Sequence, residues 1–237
     1  MISKEQIKSH YDSLAPNVNE WLDKNAYFHR QLNSQLRFVV RPGSRVLALG
    51  CGAVDSLAAM QPSHGVGVDL SPALIEQARV RHPGLEFMVG DVENLELGGQ
   101  FDYIILNMVV GELADVQKCF EGLRKFCTPQ TRILIFYYSR LWEKPLKCAE
   151  RLKLKMPSLQ QNWLPPDEVV NLLELSGYQM VRVSRHVLIP KHIPLISNLV
   201  NRFLGWLPVI KHLCFTHLVV ARPIGLRPAD QNPSVSI

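Results

Sequence analysis

The chain has 237 residues, 47% of them hydrophobic and 20% charged, the composition of an ordinary soluble domain large enough to bury a central sheet. No uncharged apolar run approaches the roughly 18–20 residues that cross a bilayer, and the opening MISKEQIKSHYDSLAP lacks the apolar core of a signal peptide. Five scattered cysteines without a C-x-x-C pair suit reduced thiols, so the chain reads as cytoplasmic. The net charge of +5 is uneven: residues 1–139 carry 13 Lys/Arg against 15 Asp/Glu, and residues 140–223 carry 12 against 5.

In chain order, residues 1–40 read as a helical cap broken near Pro16. Trp21, Phe28, Leu32, Leu36 and Val39 recur at the spacing of one helical face, and Arg41-Pro42-Gly43 ends the pattern. A first buried strand, Arg45–Leu49, enters Gly50-Cys51-Gly52, and SLAAM follows as a helix. A second strand, 65–70, carries Asp69 at its end. Ser71 then caps a helix with Pro72 at its first position and Leu74, Ile75 and Ala78 on one face. Strands follow at 85–89, leading into Gly90-Asp91-Val92, at 101–106, ending beside Asn107, and at 132–138, with a helix over 115–126 between the last two.

Apolar strands alternating with helices predict a doubly wound α/β sheet, its parallel strands covered on both faces. The final third differs. Residues 140–163 read as an irregular basic lid or acceptor insertion, and 166–176 as a helix stopped at Gly177. Strands at 178–189 and 215–221 lack a crossover helix between them, which predicts antiparallel pairing. Residues 191–213 form an amphipathic insertion, with Leu195, Ile196, Leu199, Val200, Phe203, Leu204 and Leu207 at helical spacing; 224–237 read as a flexible tail.

Ligands of open α/β sheets bind beyond the carboxyl ends of the strands. Gly50 and Gly52 allow close backbone approach there. Asp69 is suited to a ribose diol, Asp91 and the Val92 N–H to an adenine edge, and Asn107 faces the same cleft. A nicotinamide fingerprint would need a third glycine where Asp55 stands, opposite a pyrophosphate it would repel. His212-Leu-Cys214-Phe-Thr-His217 supplies too few ligands for a metal site and reads as strand, so metal: none is expected. Without an appended RNA-binding module or a base-flipping motif, nucleic acid ranks below small molecules as a partner.

The stretches VLALGCGAVDSL, GVGVDLSPALIEQAR, FMVGDVENL, FDYIILNMVVGELADV and LLELSGYQMV resemble the class I S-adenosylmethionine-dependent methyltransferases, in particular bacterial small-molecule members, across about residues 10–223. The resemblance implies a Rossmann-like seven-stranded sheet with its last strand inserted antiparallel, and S-adenosyl-L-methionine as cofactor. It implies that Gly50, Cys51 and Gly52 pack against the methionine and ribose portion, Asp69 binds the ribose hydroxyls beside Leu70, and Asp91 and Val92 hold the adenine. Two departures stand out: Ala48 replaces an acid that helps hold the cofactor's ammonium, with Asp55 as a nearby substitute, and Val54 replaces a glycine.

The implied activity is methylation of a small-molecule, glycan or lipid-linked acceptor. The alternative is a catalytically impaired cofactor-binding or partner protein of the same fold. By analogy Tyr11, Tyr27, Glu112 and Tyr138 flank the acceptor, with His10 and His29 as further bases to consider and no residue singled out as catalytic. The amphipathic insertion packs on its own domain or meets a membrane interface as a peripheral contact.

Overall fold

The computed structural model describes residues 2–53, 55–159, 161–203, 207 and 210–225; Val54, Leu204 and positions 226–237 of the expected tail lie outside that set. Seven strands form one sheet: β1 (Arg45–Leu49), β2 (His64–Asp69), β3 (Glu86–Val89), β4 (Phe101–Asn107), β5 (Cys127–Tyr138), β6 (Tyr178–His186) and β7 (Thr216–Pro223). Their spatial order is β3-β2-β1-β4-β5-β7-β6. The pairs from β3 through β5 are parallel, whereas β7 lies antiparallel between β5 and the edge strand β6.

The period-2 geometry of a strand explains the two cores. Along β1, Leu47 and Leu49 face one layer and Val46 and Ala48 the other; along β5, Ile133 and Ile135 alternate likewise with Leu134 and Phe136. The first layer is closed by α6 (Val116–Leu123) and α8 (Pro166–Leu175), through residues such as Phe120, Leu123, Val169 and Leu173. The second is closed by α3 (Ala26–Val39), α4 (Ser56–Ala59) and α5 (Pro72–Arg81), through Leu32, Leu36, Leu57 and Ile75. Helices thus cover both faces, and the strand order reverses between β1 and β4.

Local chemistry sets the helix ends. Ser71 Oγ accepts from the Leu74 N–H at 3.2 Å with Pro72 at the first position, as its sequence predicts. Gly177 takes φ +80 just past α8, a conformation that glycine adopts without a Cβ clash. Ahead of the sheet, α1 (Lys4–Leu14) starts in a reciprocal Ser3–Gln6 capping box, and α2 (Val18–Lys24) leads into α3.

Four expectations change. Residues 140–163 are not wholly irregular, since α7 (Glu143–Arg151) forms there, with Pro145 inside a first turn whose N–H groups have no helical partner anyway. Among the described residues of the amphipathic insertion, α9 (Ile196–Phe203) and a 3₁₀ turn (Ile210–Leu213) are regular. Strand β6 stops at His186, before Val187 at φ +62. The helix expected over 115–126 has Asp115 as its N-cap and tightens into a 3₁₀ turn at Arg124–Phe126.

Candidate active site

The carboxyl ends of β3, β2, β1 and β4 lie side by side, so Asp91, Asp69, Gly50–Gly52 and Asn107 are brought to one edge in that order. All of them, with Leu70 and Val92, line a single cavity of about 370 Å3, within the range of about 300–1,000 Å3 typical of small-molecule sites. The cavity continues past β4 to Tyr11, Glu112 and Tyr138, and α1, α2 and α7 roof it.

Each polar group on this edge has a definite set of partners. Asp69 Oδ2 accepts from the Gly52 N–H at 2.8 Å and Oδ1 from the Ser71 N–H at 3.0 Å. Burial raises its pKa, and these backbone donors oppose the shift. Gly50 and Gly52 both have positive φ, and a Cβ on Gly50 would come within 2.7 Å of Val109 Cβ, whereas the space beside Gly52 is open. Asn107 Oδ1 is buried without a hydrogen-bond partner among the described residues. An unmet acceptor, an open glycine and a carboxylate set by the backbone suit a polar nucleoside-type ligand.

Asp91 carries a contact that local pattern does not reveal. Its Oδ1 accepts from the Glu93 N–H at 3.0 Å, and Oδ2 from Asn94 Nδ2 at 2.9 Å and from Lys4 Nζ. Lys4 also pairs with Glu93 Oε2 at 2.7 Å. Burial alone would raise the Asp91 pKa, but the Lys4 ammonium holds it below the usual value. Asp12 ties the same helix α1 to the N-cap of α5, accepting from Ser71 Oγ at 2.6 Å and the Ala73 N–H at 3.2 Å. The Ser3–Gln6 capping box sets where α1 begins, and nothing local in the sequence announces Lys4 as a clasp.

Beyond β4, Glu112 Oε1 accepts from Tyr11 OH and from Gln161 Nε2 at 3.3 Å. Burial raises the Glu112 pKa, and the two donors oppose it. Tyr138 stacks among Phe28 and Phe215, with ring centroids 6.3 and 5.0 Å away. His29 also lines the cavity; its Nδ1 is buried without a partner among the described residues, and burial lowers its pKa to about 4.

Three expectations are corrected. Tyr27 does not line the cavity: its OH donates to Asn198 Oδ1 at 3.1 Å and accepts from Asn201 Nδ2 at 3.0 Å, anchoring α9. His10 is likewise outside the lining, with Nε2 3.1 Å from the Pro157 carbonyl. Asp55 cannot stand in for an acid at Ala48, because it is exposed and paired with His82 at 3.0 Å and Arg81 at 3.4 Å. Ala48 itself packs in the second core layer and does not line the cavity.

Comparison with known proteins meets this geometry. Residues 41–177, from the approach to β1 to the end of α8, match the model of a methyltransferase domain. A phthiotriol/phenolphthiotriol dimycocerosates methyltransferase of Mycobacterium leprae is 32% identical over 98 residues, which are 39% of this chain and 34% of that protein; the match thus spans about a third of that relative. A malonyl-[acyl-carrier protein] O-methyltransferase of Priestia megaterium is 26% identical over 184 residues, covering 74% and 67%. In solved structures, a methyltransferase of Thermotoga maritima superposes with a TM-score of 0.71 at 12% identity, covering 91% of this chain and 99% of that one. The seven-stranded order with its inserted antiparallel strand and the matched span agree, and the chain belongs to the methyltransferase-domain family, as a class I S-adenosylmethionine-dependent member.

Proposed function

We propose that the chain transfers a methyl group from S-adenosylmethionine to a small or lipid-linked acceptor with an apolar body. When bound, the cofactor supplies an already activated sulfonium methyl, leaving the protein to align the acceptor and exclude water. In this reading Asp69 accepts from the ribose hydroxyls, with Leu70 beside the base. Asp91 and the Val92 N–H hold the adenine, and Gly50, Cys51, Gly52 and Asn107 flank the sulfonium and amino-acid portion. The observation that carries the reading is the alignment of these groups along adjacent strand ends in one cavity.

The acceptor class is supported by the other half of that cavity, walled by Trp21, Phe28, Met108, Trp142, Leu146 and Phe215. Lipid-named relatives point the same way. A peripheral membrane contact belongs to this proposal: Leu195, Ile196, Leu199 and Phe203 are exposed, Leu195 at 88%, in the basic third of the chain, and neighbouring Pro190 and Lys191 line the cavity. No helix among the described residues is long and apolar enough to cross a membrane. Calorimetry with S-adenosylmethionine and S-adenosylhomocysteine tests the central claim, expecting micromolar binding of both; no binding at millimolar ligand overturns it. Sedimentation with phosphatidylglycerol vesicles tests the contact, which the double change Leu195→Asp and Leu199→Asp should abolish.

A further inference from the structure

Four carboxylates line the cavity: Asp69, Asp91, Glu93 and Glu112. Seven of their eight oxygens are engaged. Asp69 is held by the Gly52 and Ser71 N–H groups, and Asp91 by Lys4, Asn94 and the Glu93 N–H. Glu93 is taken by Lys4 and, at 2.6 Å, by the Asp115 N–H. Glu112 differs: Tyr11 and Gln161 both donate to Oε1, and no hydrogen-bond donor among the described residues takes Oε2. Lys155, whose ammonium acts on Glu112 by charge, is committed to Glu150 at 2.8 Å, Ser158 Oγ and the Met156 carbonyl.

We infer that Glu112, through Oε2, is the catalytic residue that removes the proton from the acceptor, and that the acceptor group is a neutral hydroxyl. This rests on the methyltransferase reading above and adds the reacting atom and the base. The acceptor O–H bond breaks, with its proton passing to Glu112 Oε2. The oxygen forms its new bond to the methyl carbon as the carbon–sulfur bond breaks, that electron pair remaining on sulfur. Charge balances: one sulfonium and one carboxylate become a thioether and a carboxylic acid, and the proton leaves to water after release of the methyl ether.

Position and environment favour Glu112 over the other groups. It follows β4, across β1 from the strand ends that carry Asp69 and Asp91, and accepts from Tyr11 of the cover. It is close enough to Tyr138 and to Asp69 for their charges to couple, the Asp69 carboxylate adding to the rise that burial gives its pKa. Burial strengthens an anionic base and weakens a neutral one, so it raises the Glu112 pKa and lowers that of His29 to about 4. The same environment selects the acceptor. An ionised carboxylate entering beside Glu112 would meet like charge in an apolar enclosure, and an amine would pair with Glu112 as an unreactive ammonium. A hydroxyl is desolvated at small cost and is hydrogen-bonded by the carboxylate it needs.

The test offers dodecan-1-ol, dodecylamine and dodecanoic acid with radiolabelled S-adenosylmethionine, and measures cofactor affinity of each variant by calorimetry. Dodecan-1-ol should be methylated to its ether. Glu112→Gln should lower kcat about a hundredfold or more, leave cofactor Kd within about twofold, and remove the acidic limb of the pH–rate profile. A readout independent of turnover is the Glu112 carboxyl titration, by carbon-13 NMR of the protein without cofactor. Tyr11→Phe removes a donor to the carboxylate, so the titration should move to higher pH. Transfer to the amine or acid, or to none of the three, overturns the hydroxyl assignment. Full kcat in Glu112→Gln, or a loss seen in His29→Gln instead, overturns the base. Loss of cofactor binding in the wild-type chain would count against the methyltransferase reading itself.

Discussion

The two halves of the cavity are built by different means. On the cofactor side, the groups that matter stand at the ends of adjacent parallel strands, and backbone N–H groups hold each of the two carboxylates: Gly52 and Ser71 hold Asp69, and the Glu93 N–H holds Asp91 together with the Lys4 and Asn94 side chains. On the acceptor side, segments far apart in sequence are pinned by side chains. Asn201 Oδ1 accepts from the Leu188 and Ile189 N–H groups at 2.7 and 2.9 Å, its Nδ2 reaches the Ile189 carbonyl and Tyr27, and Trp142 Nε1 donates to the Leu213 carbonyl at 2.9 Å. A frame of strand ends keeps one ligand in place while side-chain pins leave the other wall free to change with its acceptor.

The largest effect should come from breaking the rigid side. Asp69→Ala removes the acceptor of two backbone N–H groups and the carboxylate proposed for the ribose. Hydrogen bonds to charged groups contribute about 1.5–3 kcal/mol each, so calorimetry should find cofactor Kd raised at least about a hundredfold. Retained affinity would mean that the cofactor does not lie over β2.

Asn201→Ala should do the opposite. It orphans two backbone N–H groups and removes one of the two partners of the Tyr27 OH, at a cost of about 2–3 kcal/mol to the local structure. Amide exchange over residues 187–203 should therefore quicken by about tenfold to a hundredfold, with cofactor Kd unchanged within about threefold. If cofactor affinity falls as far as in Asp69→Ala, the two walls are not independent.

How much of this was legible in the sequence divides along the same line. Strands β1, β2, β4 and β5 were readable because a parallel strand buried on both faces is a mostly apolar run, β3 as a short apolar segment between a helix and Gly90, and α5 because Ser71-Pro72 announces a capped start. The placement of Asp69 and Asp91 at the sheet edge was readable with the strands, since one ends β2 and the other stands just past β3. Tyr27 was not. Analogy placed it in the helical cap beside the acceptor, but which neighbour it meets was decided by Asn198 and Asn201, more than 170 residues away. Lys4 reaches Asp91 across 87 positions, and no local periodicity encodes that. Helix α7 was missed because Pro145 reads as a breaker unless the first turn is already known.

Acid should sharpen the contrast. Burial lowers the pKa of His186 and His217 to about 4, and both lie in the β6–β7 pair; His217 is only 5% exposed. A histidine whose folded pKa lies below its unfolded value of 6.5 contributes stability above that pH, and the contribution is lost as pH falls toward 4, because the unfolded chain then binds the proton first. Between pH 7 and pH 5 the melting temperature should drop by about 5 °C or more. His217→Leu should shrink the drop, and amide exchange at pH 5 should rise in β6 before β1. An equal rise in both would show that the antiparallel edge is no weaker than the parallel core.

The smallest effect concerns the helix that joins the two walls. Lys4, at the start of α1, bridges Asp91 and Glu93, while Tyr11 and Asp12 further along touch Glu112 and Ser71. The Lys4 side chain is 36% exposed, so the pair is solvent-screened and contributes at most about 1 kcal/mol. Glu93 keeps its bond from the Asp115 N–H when Lys4 is replaced. Lys4→Met should therefore leave the fold intact and raise the cofactor's dissociation rate by about twofold to fivefold, an increase that added salt reproduces in the wild type and not in the variant. The reason lies in the geometry: α1 roofs the part of the cavity that holds Asp69 and Asp91, and Lys4 is the clasp that fixes that helix to the floor of the site. An unchanged dissociation rate would mean that the ligand leaves by the side of α7, and that the acceptor half is the true door.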